Sequence, residues 1–319
     1  MFNLITRKAQ SYFLGHYYDK VFHRSDDRIR RLRKLLSDER SVEVFDLLLK
    51  SYTSKNDDAD WFYKQAAEVL SSETKYTMNT GRVVHEAVNM YFRDEIYHFK
   101  ERYNMDRRIV LLDGGSYNGD TIVSASNTAR LSEKFQIAYA YAFEPDPSNY
   151  HQLQRNLRNL SFPVETFNCG LDDHDGKEEF CWEGVRTKIN TDGGIYGEGN
   201  AAGGRMLSVR NAGLFLDDLK NAGVAKPGYS SSEKDKMSNR PLPNFIKLDI
   251  EGREREVILS MSGFIREYHP DLAVSIYHRP EDLWDLPLMI YSICSDYKIY
   301  IRHNSDYYTE TICHAVYNI

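Results

Sequence analysis

The sequence predicts an α/β protein: a doubly wound, mostly parallel seven-stranded sheet with a terminal antiparallel hairpin, preceded by an N-terminal helical region. Three observations predict it. From about residue 107 onward, short apolar, β-branched runs alternate with helical stretches. The first run, IVLL, leads straight into Asp113-Gly114-Gly115-Ser116-Tyr117-Asn118-Gly119-Asp120, a glycine-rich strand-to-helix turn. Two consecutive strand-like segments then close the chain, where the pattern elsewhere inserts a helix. Residues 1–106 are expected to form a helical cap or dimerisation region, and residues 107–319 a Rossmann-like domain.

The N-terminal third reads as helical. In the run DDRIRRLRKLLSDERSVEVFDLLLKSY, Ile29, Leu32, Leu35 and Leu36 fall on one stripe, and Val44, Leu47 and Leu48 continue it after a break near Ser41. Asp26 and Asp27 suit a helix's first turn, where the backbone dipole favours negative charge. Further helices are expected over residues 58–70 and in the run after Gly81. The basic run RSDDRIRRLRK is a solvated helix face or a landing site for an anionic partner.

The strands of the second region follow in order. AYAYAFE, FPVETFNCG, NFIKLDI, LAVSIYH, KIYIRH and TETICHAVYN read as strands after IVLL. DPSNYHQLQRNLRNL, REREVILSM and PEDLWDLPLMIYSIC read as helices. Residues 190–205, rich in glycine, and 226–243, polar with prolines, read as loops.

Composition excludes several classes. The formal net charge is −6, which opposes a nucleic-acid partner. No stretch reaches the roughly 18 apolar residues of a membrane span. The start MFNLITRKAQ lacks a signal peptide's apolar core, so a cytoplasmic location is expected. The 4 cysteines form no CxxC pair and no zinc spacing, and are expected to be reduced.

The glycine-rich turn points to a bound nucleoside. Glycines let backbone approach a ligand closely, and the following helix offers free N–H groups. A diphosphate would favour GxGxxG, whereas the spacing here is GGxxxG with Asp113 and Asp120 flanking it. Those acids repel a diphosphate and suit a sulfonium cofactor, S-adenosylmethionine. Glu144 ends the next strand, where an acid can accept hydrogen bonds from both ribose hydroxyls. Gly114, Gly115, Ser116, Tyr117 and Gly119, with Pro145 and Asp146 after the acid, complete the expected cofactor crevice. Asn168, Cys169 and Gly170, at the third strand's end, form either the adenine side of that crevice or a simple turn.

A second cluster sits at the fourth of these strands. In NFIKLDIEGREREVI, alternation sends Ile246, Leu248 and Ile250 one way and Lys247 and Asp249 the other, with Glu251 continuing from the tip. Acids at such a tip are costly to bury unless they bind something. Asp249 is placed at both the cofactor and the reaction centre, and His278 ends the next strand as a second candidate base. Lys247 and Glu251 join them as candidate catalytic groups. A divalent metal such as magnesium, held by Asp249 and another carboxylate, is the alternative to a protein base.

With these residues in place, the chain resembles the FkbM family of methyltransferases. The matching blocks are IVLLDGGSYNGDT, AYAFEPDPSNYHQLQRNL, LFLDDL, NFIKLDIEGREREVILS and HPDLAVSIYHRPEDLWDLP, in the family's order. The resemblance implies S-adenosylmethionine binding and O-methylation, with Asp113, Gly115 and Glu144 on the cofactor and Asp249 and Glu251 lining the reaction centre. It also implies a sugar or natural-product hydroxyl as acceptor. Ser116 and Tyr117 depart from the alanine and asparagine more usual there, and the first 106 residues have no counterpart. The expected function is methylation of a sugar hydroxyl in bacterial surface-polysaccharide synthesis. Its alternatives are O- or N-methylation of a secondary metabolite, a nicotinamide-dependent oxidoreductase, and a non-catalytic binding module.

Overall fold

The computed structural model describes residues 25–53, 90–103, 108–183, 186–189, 205–221, 240–304 and 310–317. Two helices come first, α1 (Asp26–Leu35) and α2 (Glu39–Thr53), then two helical turns, α3 (Asp94–Tyr97) and α4 (Phe99–Arg102). The central strand β1 (Ile109–Gly114) follows, with α5 (Asp120–Ser132), β2 (Ile137–Phe143), α6 (Pro147–Leu157) and β3 (Val164–Phe167). An excursion holds β4 (Gly170–Asp172), β5 (Gly176–Glu183), β6 (Arg186–Ile189) and β7 (Arg205–Asn211). The chain returns through α7 (Ala212–Lys220), β8 (Phe245–Leu248), α8 (Glu254–Ser260), α9 (Ser262–Tyr268), β9 (Asp271–Ser275), α10 (Asp282–Ile293), β10 (Tyr297–His303) and β11 (Thr311–Tyr317).

The main sheet has seven strands in the order β10-β11-β9-β8-β1-β2-β3. All its neighbours run parallel except β11, which is inserted antiparallel to both β10 and β9. This is the expected sheet with its terminal hairpin. β1 is buried at every position because helices cover both faces, so its sequence is a continuous apolar run rather than an alternating one. Alternation instead sorts its side chains between two cores. Val110 and Leu112 join Ile246, Leu248, Leu272 and Val274 under α1, α2 and α7–α10. Ile109 and Leu111 join Phe245 and Ala273 under α3–α6.

The described N-terminal elements pack against this chain's own sheet. Ile29, Leu32, Val44, Phe45 and Leu48 lie in the first core. The link between α1 and α2 is pinned to β10: Ser37 N donates to Ile299 O (2.9 Å), and Ile301 N donates to Ser41 Oγ (2.9 Å). The helix break falls at residues 36–38, three positions before the expected one. Asp38 causes the shift by capping α2 through Ser41 N (2.8 Å), which leaves Ser41 buried inside the helix. On the opposite face, Phe92, Phe99 and Phe135 stack around Phe245, and Arg102 and Tyr103 both bind buried Asp271. The basic run is partly neutralised within the chain, since Arg28, Arg30 and Arg33 pair with Asp285, Asp26 and Asp46.

A second sheet, in the order β4-β7-β5-β6, packs on a small core of Phe180, Leu207 and Val209. The sequence does not predict it, because GKEEFCWE and RMLSVRN are polar or charged at most positions and bury only Phe180, Leu207 and Val209. The expected helix over 58–70, most of the helix after Gly81, residues 190–204 and residues 226–239 lie outside the described residues. Among the described residues, no helix is long and apolar enough to cross a membrane.

Candidate active site

The crevice lies at the C-terminal edge of β1, β2 and β8, where the sheet order reverses direction. The loop after β1 is stitched to the end of β2: Gly115 N and Ser116 N both donate to Phe143 O (3.1 and 2.9 Å). Ser116 Oγ turns back onto Asp113 O (2.8 Å). The chain then passes through left-handed conformations at Gly115, Tyr117 and Gly119 before α5 starts. Gly119, at the N-cap, supplies no side-chain acceptor, and the first N–H groups of α5 are taken instead by Asn118 Oδ1 (from Asp120 N, 3.1 Å) and Asp120 Oδ1 (from Thr121 N, 2.7 Å).

Glu144 follows β2 and is tied to this loop. Its carboxylate accepts from Tyr117 N (2.9 Å) and Asp146 N (2.8 Å), and burial pushes its pKa up to about 7. Asp146 in turn caps α6 by accepting from Ser148 N and Asn149 N (both 2.9 Å). Asn168 spends its amide on the carbonyls of Glu144 and Pro145, so it braces this turn from β3. Cys169 is half-buried beside it, its thiol pushed up to about 11 by burial, and Gly170 opens β4.

Asp113 and Lys247 face the same way in register across β1 and β8, fully enclosed and 3.0 Å apart. Lys247 Nζ also donates to Gly115 O (2.7 Å) and Gly114 O (3.2 Å). The expected catalytic lysine is therefore a strut beneath the glycine loop, and Asp113 is its buried counter-charge. Asp120 lies close by, and burial raises its carboxyl pKa despite the opposing pull of Lys247.

Asp249 sits at the tip of β8 with its N–H on Gly114 O (3.1 Å). Its two oxygens accept from two phenols, Tyr91 to Oδ2 and Tyr277 to Oδ1, both at 3.0 Å. Burial alone would raise its pKa, but Lys247, then His278, outweigh it and hold the group below the usual carboxylate value. His278 stands behind it, with Nδ1 3.0 Å from Glu254, and Nε2 3.4 Å from Asp249 and 3.6 Å from Glu251. Burial opposes its charge, yet these carboxylates push its pKa up to about 10. Asp282, also buried and facing Glu254, is pushed up to about 8. The structure thus gathers Asp249, Glu251 and His278 as the sequence led one to expect, and adds Tyr91, Glu254 and Asp282. Glu254 had a faint signal, three residues beyond Glu251 at a helix start; Tyr91 had none.

Residues 113–300 match the model of the FkbM methyltransferase domain. The chain belongs to the FkbM methyltransferase family. Among solved structures, an FkbM methyltransferase from Methylobacillus flagellatus KT is similar at 20% identity and TM-score 0.60, covering 93% of this chain. This chain spans 60% of that protein's length, and at such identity the likeness shows the fold alone. No curated protein matches the chain.

Two tests bear on what this FkbM domain can hold. Around the crevice stand the carboxyls of Asp113, Asp120, Glu144, Asp249, Glu251 and Glu254 against the cations Lys247 and His278. That excess of acid suits a cationic nucleoside and repels a diphosphate. Among the described residues, Asp249, Glu254 and His278 bring one ligand atom each within 4.8 Å of one another. A protonated His278 has no lone pair for a cation, which leaves this set two carboxylate donors, so it fits a metal poorly.

Proposed function

We propose that the chain is an S-adenosylmethionine-dependent O-methyltransferase that acts on a sugar hydroxyl, in the synthesis of a bacterial surface polysaccharide. One observation carries the reading of the chemistry: Asp249 and Glu251 are the accessible carboxylates of the cluster, with 24% and 22% of their side chains exposed against 3% for His278, and of the two it is Asp249 that two phenols hold in place.

The cofactor supplies an activated methyl group when bound. The chain's own residues do the rest. Glu144 accepts the ribose hydroxyls, while the Gly114–Gly115 backbone borders the ligand. The surplus of carboxylates favours a cofactor bearing a sulfonium and an ammonium. It disfavours the dinucleotide of an oxidoreductase. Asp249 takes the proton of the acceptor hydroxyl, a role worth roughly 10²–10⁴-fold in rate. His278 stays an imidazolium behind it, orienting the carboxylate rather than removing a proton. The part-exposed ring of Tyr277 beside the base favours a sugar, whose apolar faces pack on aromatic surfaces.

The test is isothermal titration with S-adenosylmethionine, its demethylated product and NADH, followed by transfer of labelled methyl groups to a panel of sugars. The expected result is micromolar binding of the first two, no binding of NADH, and loss of binding in Glu144→Ala. Asp249→Asn is expected to retain cofactor binding within about tenfold and to lose at least roughly 100-fold in turnover. Chelation by EDTA leaves turnover unchanged. NADH binding in place of S-adenosylmethionine sinks the reading. Methyl transfer to a non-sugar hydroxyl or an amine alone corrects the acceptor.

A further inference from the structure

The segment 90–103 precedes the family-matched residues 113–300, yet one of its side chains enters the catalytic cluster. Tyr91 is buried, and its hydroxyl donates to Asp249 Oδ2 at 3.0 Å. Its ring also covers Lys247, with Nζ 5.2 Å from the ring centroid. Tyr91 therefore touches both the strut that props the glycine loop and the acid at the tip of β8. Its neighbours hold it in place. Phe92 stacks on Phe245 at 4.8 Å, Tyr97 donates to Leu272 O (2.9 Å), and Arg102 holds Asp271. Each of these anchors ends on β8 or β9, the strands whose tips carry Asp249 and Tyr277.

We propose that Tyr91 is a positioning residue of the methyl-transfer site, supplied from outside the family-matched segment, which with Tyr277 clamps the Asp249 carboxylate towards the bound sulfonium. The proposal rests on the S-adenosylmethionine reading above. A carboxylate with one oxygen on each of two phenols cannot rotate without breaking a charge-assisted hydrogen bond, so its remaining lone pairs keep one direction. Phenols suit this task because they stay protonated: burial, then the charge of Asp249, raises the pKa of Tyr91 well above its ordinary value. The clamp orients the acid without taking its role.

The experiment compares S-adenosylmethionine with S-adenosylhomocysteine, which differ by the methyl and the sulfonium charge. Both are titrated into wild type, Tyr91→Phe, Asp249→Asn and the double variant. The phenylalanine keeps the ring over Lys247 and removes only the hydroxyl. The expected result is that Tyr91→Phe lowers the preference for the sulfonium ligand about 3- to 10-fold, with binding of the uncharged product unchanged. Asp249→Asn lowers the preference at least as far, and the double variant no further than Asp249→Asn alone. An unchanged preference in Tyr91→Phe overturns the proposal, as do additive effects or equal weakening of both ligands. Failure of both ligands to bind wild type instead removes the cofactor reading beneath it.

Discussion

Gly115 lies so close to the Asp249 carbonyl that a Cβ built on it would stand 1.8 Å from that oxygen. The loop after β1 and the tip of β8 are thus in backbone contact, and Gly115 adopts φ +75° to allow it. Only glycine meets both demands. Gly115→Ala is expected to cost about 3 kcal/mol or more and to abolish cofactor binding, because either the loop or Asp249 must move. Gly176→Ala, whose Cβ would meet nothing nearer than 3.5 Å, is the control and is expected to be near neutral. Thermal melts with cofactor titration separate the two.

Lys247 and Asp113 form an ion pair sealed from water, and the lysine also caps the carbonyls of Gly114 and Gly115. Removing the cation leaves a buried carboxylate without its counter-charge, at a cost of roughly 3–5 kcal/mol. Lys247→Met is expected to show that loss in urea unfolding. Asp113→Asn added to it should restore part of the stability, because the stranded charge is gone. A double variant less stable than Lys247→Met would mean that Asp113 has another partner.

This pair marks where sequence reasoning stopped. Alternation placed Lys247 and Asp249 on one side of the strand, but with helices on both faces it could not say which residue would be enclosed. β1 and β8 were legible because strands covered on both faces are mostly apolar, here apart from Asp113 and Lys247. The placement of Glu144, Asp249 and His278 at one edge of the sheet was legible because each follows the end of a strand-like run. Tyr91 was not, since its bond to Asp249 joins residues 158 positions apart and its local context reads as an ordinary helix. Nor was the small sheet, whose shallow apolar face leaves a sequence dominated by Lys, Glu and Arg.

Under the proposed ribose-binding role, Glu144 links cofactor affinity to pH. Burial raises its pKa from 4.5 to about 7, so the folded apo protein holds a proton there that ribose binding by the carboxylate must release. Affinity for S-adenosylmethionine is expected to fall about tenfold per pH unit below 7 and to level off above it. For stability the sign is the reverse of a salt-bridged acid. The raised pKa costs the apo fold nothing below about 4.5, a penalty that grows between about 4.5 and 7, and a constant one above 7. Titrations at pH 5.5, 6.5, 7.5 and 8.5 check the first statement. An affinity that is flat across this range would show that the carboxyl ionises without the ligand's help.

His278 works the other way. Glu254, Glu251 and Asp249 outweigh its burial and raise its pKa from 6.5 to about 10. A raised basic group stabilises the fold fully below its unfolded pKa, about 6.5, and that contribution disappears as pH rises through 10. Wild type is expected to lose of the order of 3 kcal/mol between pH 6.5 and 10, and Glu254→Gln, lacking the nearest carboxylate, to lose clearly less over the same range. Nitrogen-15 spectra at pH 8 are expected to show both ring nitrogens of His278 protonated in wild type. A neutral ring at that pH would return His278 to candidacy as the base and leave Asp249 as its orienting partner.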